Sequence, residues 1–312
     1  MSGENKSPKY IPLTCTGHSR PVTHLAFSTL FEDNSHLLIS ACKDGEPMLR
    51  DGVTGDWIGT FIGHKGATWS AKFSSDAKLS ITASADYTAI VWDTFSGKAL
   101  STLGHNHVVR TASFAPAHSQ AAYAVTAGNE KKIRIWDLSD STAPVSEWDG
   151  ADGTIKSSLW LNENIIITAS DDKLVSWWDS RTPGKLIASI ELEESIGQIE
   201  EHDGSLVIAS GKKLLFVDAL SHNIESKINL GYKASAATVN PLKTKFATGS
   251  VEDTWVRYHD LVSGDVTEIL KSHHGPVHSI SYSPDGQLCA SGSEDGTIRL
   301  WKTESGPYGL WR

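Results

Sequence analysis

One spacing constrains this chain more than any other feature. A short run that follows a polar or acidic turn recurs seven times, ending at Arg50, Trp92, Trp136, Trp178, Val217, His259 and Trp301. Successive spacings are 42, 44, 42, 39, 42 and 42 residues. A period of that length marks an array in which each unit is one supersecondary element that buries its apolar face only against its neighbours. Inside a unit the apolar residues alternate with period two, and Gly, Asp, Ser and Asn break the runs, which is a strand signal. In the last unit "VHSISYS", "LCASGS" and "TIRLW" read as three strands, with "EDG" as the tight turn between the last two. No stretch carries a convincing helical period. Four short strands per unit, seven times over, predict an all-β fold, a seven-bladed β-propeller spanning 11–302 as one domain. A flexible N-terminus (1–10) and a C-terminal extension (303–312) flank it.

Composition narrows the function. With 312 residues the length alone would suggest about two domains, which a propeller absorbs as one. A formal charge of −9 argues against a dense basic field for nucleic acid. Three cysteines, Cys15, Cys42 and Cys289, form no CxxC pair and fit a reducing compartment. The polar start "MSGENKSPKY" and the lack of an apolar run near the ~20 residues of a membrane span predict a soluble cytoplasmic and nuclear protein.

His273, Ser291 and Asp295 supply the ingredients of a hydrolase triad. A catalytic site is normally built once, however, and this set recurs along the chain. GxSxG, P-loop and HExxH motifs are absent. His273, His274 and His278 tempt a metal reading, but strand positions four apart lie about 13 Å from each other. Zinc, with ligands at about 2 Å, does not span that gap. Neither a cofactor, a metal nor an enzymatic activity is expected.

The pairs Gly17-His18, Gly63-His64 and Gly104-His105 ahead of the first strand, and Trp92-Asp93, Trp136-Asp137 and Trp178-Asp179 after the third, resemble the signatures of WD-repeat proteins. The resemblance covers 11–302. It implies a buried hydrogen-bonded chain of His, Ser or Thr, Asp and Trp in each blade, with "YIPLTCT" as the outer strand of blade seven. Carried over by position, blade two has His64, Thr82, Asp86 and Trp92, and blade seven has His273, Ser291, Asp295 and Trp301. Blade three has His105, Thr126 and Trp136, with Glu130 where Asp is usual. Blade one keeps His18, Ser40 and Asp44 but has Arg50 at the Trp place. Blade four has Ala151 for His and keeps Thr168, Asp172 and Trp178, and blade five has lost nearly all of it. Buried imidazoles and hydroxyls need partners, so these sets read as scaffolding.

In WD propellers the residues flanking the first inward position of strand one, and the residue before the turn Asp, ring the top of the channel. By matched position the resemblance puts Pro21 and Thr23, Ala67 and Trp69, Val108 and Arg110, Thr154 and Lys156, and Pro276 and His278 there. Lys43, Ala85, Asp171 and Glu294 precede the turn Asp. The candidate partner-binding residues are Trp69, Arg110, Lys156, His278, Lys43 and Glu294, because Trp and Arg dominate binding hot spots. A tryptophan that only plugs the channel mouth is the competing reading.

Within the WD-repeat class, "LISACKDGEPMLRDGVTGDWIGTFIGHKGATWSAKF" and the ending "GPVHSISYSPDGQLCASGSEDGTIRLW" with "YGLW" resemble the serine/threonine kinase receptor-associated family. That resemblance implies a non-catalytic scaffold of the SMN complex, acting in spliceosomal snRNP assembly and mRNA metabolism through Gemin-type subunits. A translation regulator or a receptor kinase is a further implied partner. RNA contact would be indirect, with no membrane, and the chain a monomer within a hetero-complex. Subunit i of translation initiation factor three shares the character of blades one and two and is the nearest alternative. A direct RNA-binding propeller is the alternative from another class.

Overall fold

The computed structural model describes residues 11–116 and 122–304. The expected flexible segment 1–10, and 305–312 of the expected extension, lie outside the described residues. Among the described residues every regular element is a strand, and the strands form seven antiparallel sheets of four. The chain is a seven-bladed β-propeller, and the notional two domains of its length are one ring.

The first three strands of a blade show what the array demands. Leu37–Cys42 and Leu288–Ser293 are buried along their whole length, because each sheet is covered on both faces by its neighbours. Outer strands such as Val266–Lys271 are largely exposed. Seven apolar clusters form, one at each junction between successive blades. At the blade two–three junction Ile81, Val91 and Leu103 meet Val109, Phe114 and Trp136.

Close stacking restricts one position of the second strand to small residues: Ala41, Ala83, Ala127, Ala169 and Ala209 are fully buried there. Blades six and seven use Gly249 and Gly292. A Cβ at Gly249 would lie 2.7 Å from Val277 Cγ1, and one at Gly292 2.6 Å from Val22 Cγ1. The next blade's first inward residue fills that space.

Two devices finish the ring. The aspartate after the third strand caps the turn to the outer strand, as Asp93 Oδ1 accepting from the Ser96 N–H at 2.8 Å shows. Asp218 and Asp260 do the same where the tryptophan is gone. Leu13–Cys15 is the outer strand of the seventh sheet, pairing Leu13 with Leu300, Thr14 with Arg299 and Cys15 with Ile298.

Candidate functional site

The polar chains have a defined direction. In blade two the Trp92 indole N–H donates to Thr82 Oγ1 at 2.8 Å, since an indole nitrogen can only donate. The Thr82 hydroxyl therefore donates onward to His64 Nε2 at 2.7 Å, leaving His64 Nδ1–H to donate to Asp86 Oδ2 at 2.8 Å. Asp86 also accepts the Lys65 backbone N–H at 2.8 Å, locking the Gly-His turn. Blade seven repeats the arrangement through Trp301, Ser291, His273 and Asp295 at 2.8, 2.7 and 3.0 Å.

Burial would raise the carboxyl of Asp86, but hydrogen bonds from His64, Thr88 and Lys65 outweigh it and hold the group well below the usual carboxylate range. Asp44 and Asp295 are depressed in the same way. A depressed folded-state pKa stabilises above the unfolded value near ~4 and loses that contribution as pH falls through it. Thermal melts at stepped pH should show stability dropping below that value, with a shallower drop for Asp86→Asn. An unchanged slope in the variant would remove Asp86 from the acid response.

The other blades depart from the pattern in instructive ways. In blade three Arg134 stands between His105 and Glu130, donating to His105 Nδ1 and, through Nη2, to Glu130 Oε2 at 2.6 Å. Donation from Arg134 places the His105 proton on Nε2, which bonds Thr126 Oγ1 at 3.0 Å. The tautomer is thus opposite to that of blade two. Burial, then Arg134, lowers the His105 pKa to about 4. In blade one the buried Arg50 does not bond Ser40; it donates to the carbonyls of Gly55, at 3.1 Å, and Thr16. Blade four keeps Trp178 on Thr168 at 2.9 Å without a histidine.

Blade six rebuilds the chain with other chemistry. Tyr232 replaces the Gly-His histidine and His259 the tryptophan, with Tyr232 Oη 2.9 Å from His259 Nε2 and both reaching Thr248. His18, Cys42 and Asp44 have ligating atoms within 4.8 Å of one another. His18 spends both nitrogens on Asp44 and Ser40, and Cys42 donates to the Arg20 carbonyl, so the cluster is blade one's tetrad with a thiol beside it.

At the top of the ring the backbone itself aims the side chains. In six blades the first strand carries one extra residue against the second: Thr23, Trp69, Arg110, Lys156, Ser235 and His278. In blade five the irregularity spans Gly197 and Gln198. A bulge leaves its extra residue unpaired and turns it off the sheet, here into the channel mouth. All six line a cavity of about 390 Å³, together with Lys43. The Arg110 guanidinium lies 3.7 Å from the centroid of the Trp69 ring, with Lys43 Nζ at 5.9 Å. Lys156 pairs with Asp171 at 2.5 Å. Glu294 stands at the edge of the mouth and bridges His278 at 2.5 Å and Lys43 at 3.6 Å.

The other flanking residues of the expected rim need correction. Pro21, Ala67, Val108, Thr154 and Pro276 do not line the mouth; their carbonyls accept the N–H of Lys43, Ala85, Asn129, Asp171 and Glu294 at the end of strand two. Ala85, Asp171 and Glu294 do not line it either; Asp171 and Glu294 reach it only through their ion pairs, with Lys156 and with Lys43 and His278. Lys233, Glu194 and Ser235, from blades five and six, do line the mouth but were not among the expected rim residues. The sequence signal was available in the positions around Ile196 and Ala234, where the first strands begin, but the worn signatures of those blades hid the alignment.

The ring and its polar chains define a WD-repeat propeller. The family model for the WD domain, G-beta repeat, matches residues 10–48, 55–93, 97–137 and 264–302. The chain is 44% identical over 304 residues to the human serine-threonine kinase receptor-associated protein, covering 96% of this chain and 85% of the relative. The protein of that name from Dictyostelium discoideum is 41% identical over 293 residues, covering 93% and 98%. Eukaryotic translation initiation factor 3 subunit I from Bombyx mori is 29% identical over 320 residues, covering 93% and 94%. The chain belongs to the serine-threonine kinase receptor-associated family of WD-repeat proteins. As a WD propeller of this family it is a protein-interaction scaffold.

Proposed function

We propose that this scaffold is non-catalytic, that its partner docks on the channel mouth, and that it acts in the cytoplasm and nucleus within a ribonucleoprotein-assembly complex of the SMN type. The Trp69–Arg110 stack carries the reading for the mouth. It presents the two residue types that dominate hot spots, on adjacent blades, at the opening of a preformed cavity. The His-Ser-Asp sets are committed to structural bonds deep in blades, which supports a role without chemistry. The family resemblance supports Gemin-type subunits as partners, and the relatives' own name points to a receptor kinase as another. The initiation-factor reading rests on lower identity.

Affinity purification of the tagged chain from its native cell, with mass spectrometry, is expected to recover Gemin-type subunits; recovery of initiation-factor subunits instead would overturn the assembly role. With the recovered partner, Trp69→Ala and Arg110→Ala should each weaken binding by about 1–3 kcal/mol. Circular dichroism should show both folds intact. Full binding by the folded double variant would move the site off this rim.

A further inference from the structure

The channel mouth reverses the charge of the molecule. The chain carries −9 overall, yet the residues lining the mouth include Lys43, Lys72, Arg110, Lys156 and Lys233 against one carboxylate, Glu194. Lys43 and Lys156 are partly neutralised from outside the cavity by Glu294 and Asp171. Arg110, Lys72 and Lys233 make no ion pair among the described residues. From these groups we infer that the mouth takes an acidic peptide segment, one of whose carboxylates enters the channel toward Lys72. This deepens the docking reading above and rests on it.

The depth of Lys72 favours insertion over a contact on the rim alone. Its side chain lines both the mouth and the cavity on the far side of the channel, and its Nζ donates to the Ser158 carbonyl at 2.8 Å. Burial lowers its pKa to about 8, so its charge is poorly compensated where it sits. Glu200, farther along the channel, opposes the effect of burial on Lys72 through its charge but makes no direct ion pair with it among the described residues: burial pushes its own carboxyl up, and it accepts from Gln198 at 2.8 Å. A carboxylate arriving from the mouth would meet an ammonium that no carboxylate touches directly among the described residues, in surroundings that strengthen the attraction.

Nucleic acid fits less well. One face of Trp69 is already covered by Arg110, where a base would stack. The outer rim bears exposed Glu193, Glu294 and Asp171, which repel a long phosphate backbone running across the top. A short segment that dips into the mouth avoids them. An extended peptide also matches the layout, because the cations come from blades one, two, three, four and six and no single point contact reaches them all.

The test uses the full chain and three fluorescent probes of equal length: a Glu-rich peptide, the same peptide with Gln for Glu, and single-stranded RNA. Anisotropy should show the Glu peptide binding in a salt-sensitive way, with the Gln peptide silent and the RNA weaker. Lys156→Gln/Lys233→Gln should cut Glu-peptide affinity by about tenfold or more. Lys72→Met should do the same, with circular dichroism confirming the fold; the Lys156/Lys233 pair, less buried than Lys72, keeps the test decisive if that variant unfolds. No binding of the Glu peptide, binding untouched by the Lys156/Lys233 variant, or tighter binding of RNA would overturn the inference. Partner capture separates the two claims: loss with Trp69→Ala but not with Lys156→Gln/Lys233→Gln would leave the rim standing and reject the acidic segment.

Discussion

Replacing Trp92 with alanine should lower the unfolding free energy by about 3–5 kcal/mol, the range for a large buried aromatic. The ring is fully buried at the blade one–two junction, packed at 5.4 Å against Phe61 and close against Gly63, where a Cβ would lie 2.9 Å from it. Truncation also strips the buried Thr82 of the indole donor at 2.8 Å. Trp92→Phe separates the two costs. It keeps most of the packing and loses only the N–H, so it should cost about 1–2 kcal/mol. Denaturant melts of the three proteins decide it; alanine and phenylalanine variants of equal stability would mean that the polar chain, and not the ring, carries the effect. Arg50, at the same position in blade one, does not argue that Trp92 is dispensable. Its guanidinium is held by the carbonyls of Gly55 and Thr16, partners that a tryptophan at the same place does not use in blade two.

That contrast shows where sequence was enough to see the structure and where it was not. The ring, its seven units and the chains of blades two and seven were legible, because each signature is local and the period of about 42 aligns the copies. Blade six was not. Tyr232 and His259 replace the histidine and the tryptophan at once, and neither matches the pattern alone, although together they restore its bonds around Thr248. Glu130 was seen as a stand-in for aspartate, but its bond to His105 runs through Arg134, a residue on the third strand that the pattern treats as ordinary. At the mouth, Trp69 and Arg110 could be placed by counting from the Gly-His pairs, and Lys156 by its matched position between Gly150-Ala151 and Asp172. Lys233 could not, because Gly231-Tyr232 offers no such anchor. Around the mouth the physical agent is the bulge, a backbone feature that six dissimilar residues share and that no side-chain motif announces.

Deleting residues 1–16 should have the largest effect of all, replacing a cooperative monomer by aggregating, non-cooperative material. Three paired residues look too few to matter, but their loss reaches both sides of the ring. Cys15 is buried in a cluster with Val22, Leu25, Ile298 and Leu300, so the deletion uncovers apolar surface of blades seven and one together. Ile298–Lys302 becomes an unpaired edge, the kind of template on which chains associate. Arg50 loses the Thr16 carbonyl and keeps a buried charge with one fewer partner. The clasp also joins segments nearly the whole chain apart, as Arg299 Nη1 donating to Thr14 Oγ1 at 2.9 Å shows, and without it blades seven and one are held together only by the packing of their inner strands. Light scattering with differential scanning calorimetry reads the outcome. Supplying residues 11–16 after the last strand, through a turn copied from 93–98, should restore a single cooperative transition, because every other blade receives its outer strand that way. A truncated monomer that melts like the intact chain would show that the ring is held by its seven junctions without the clasp.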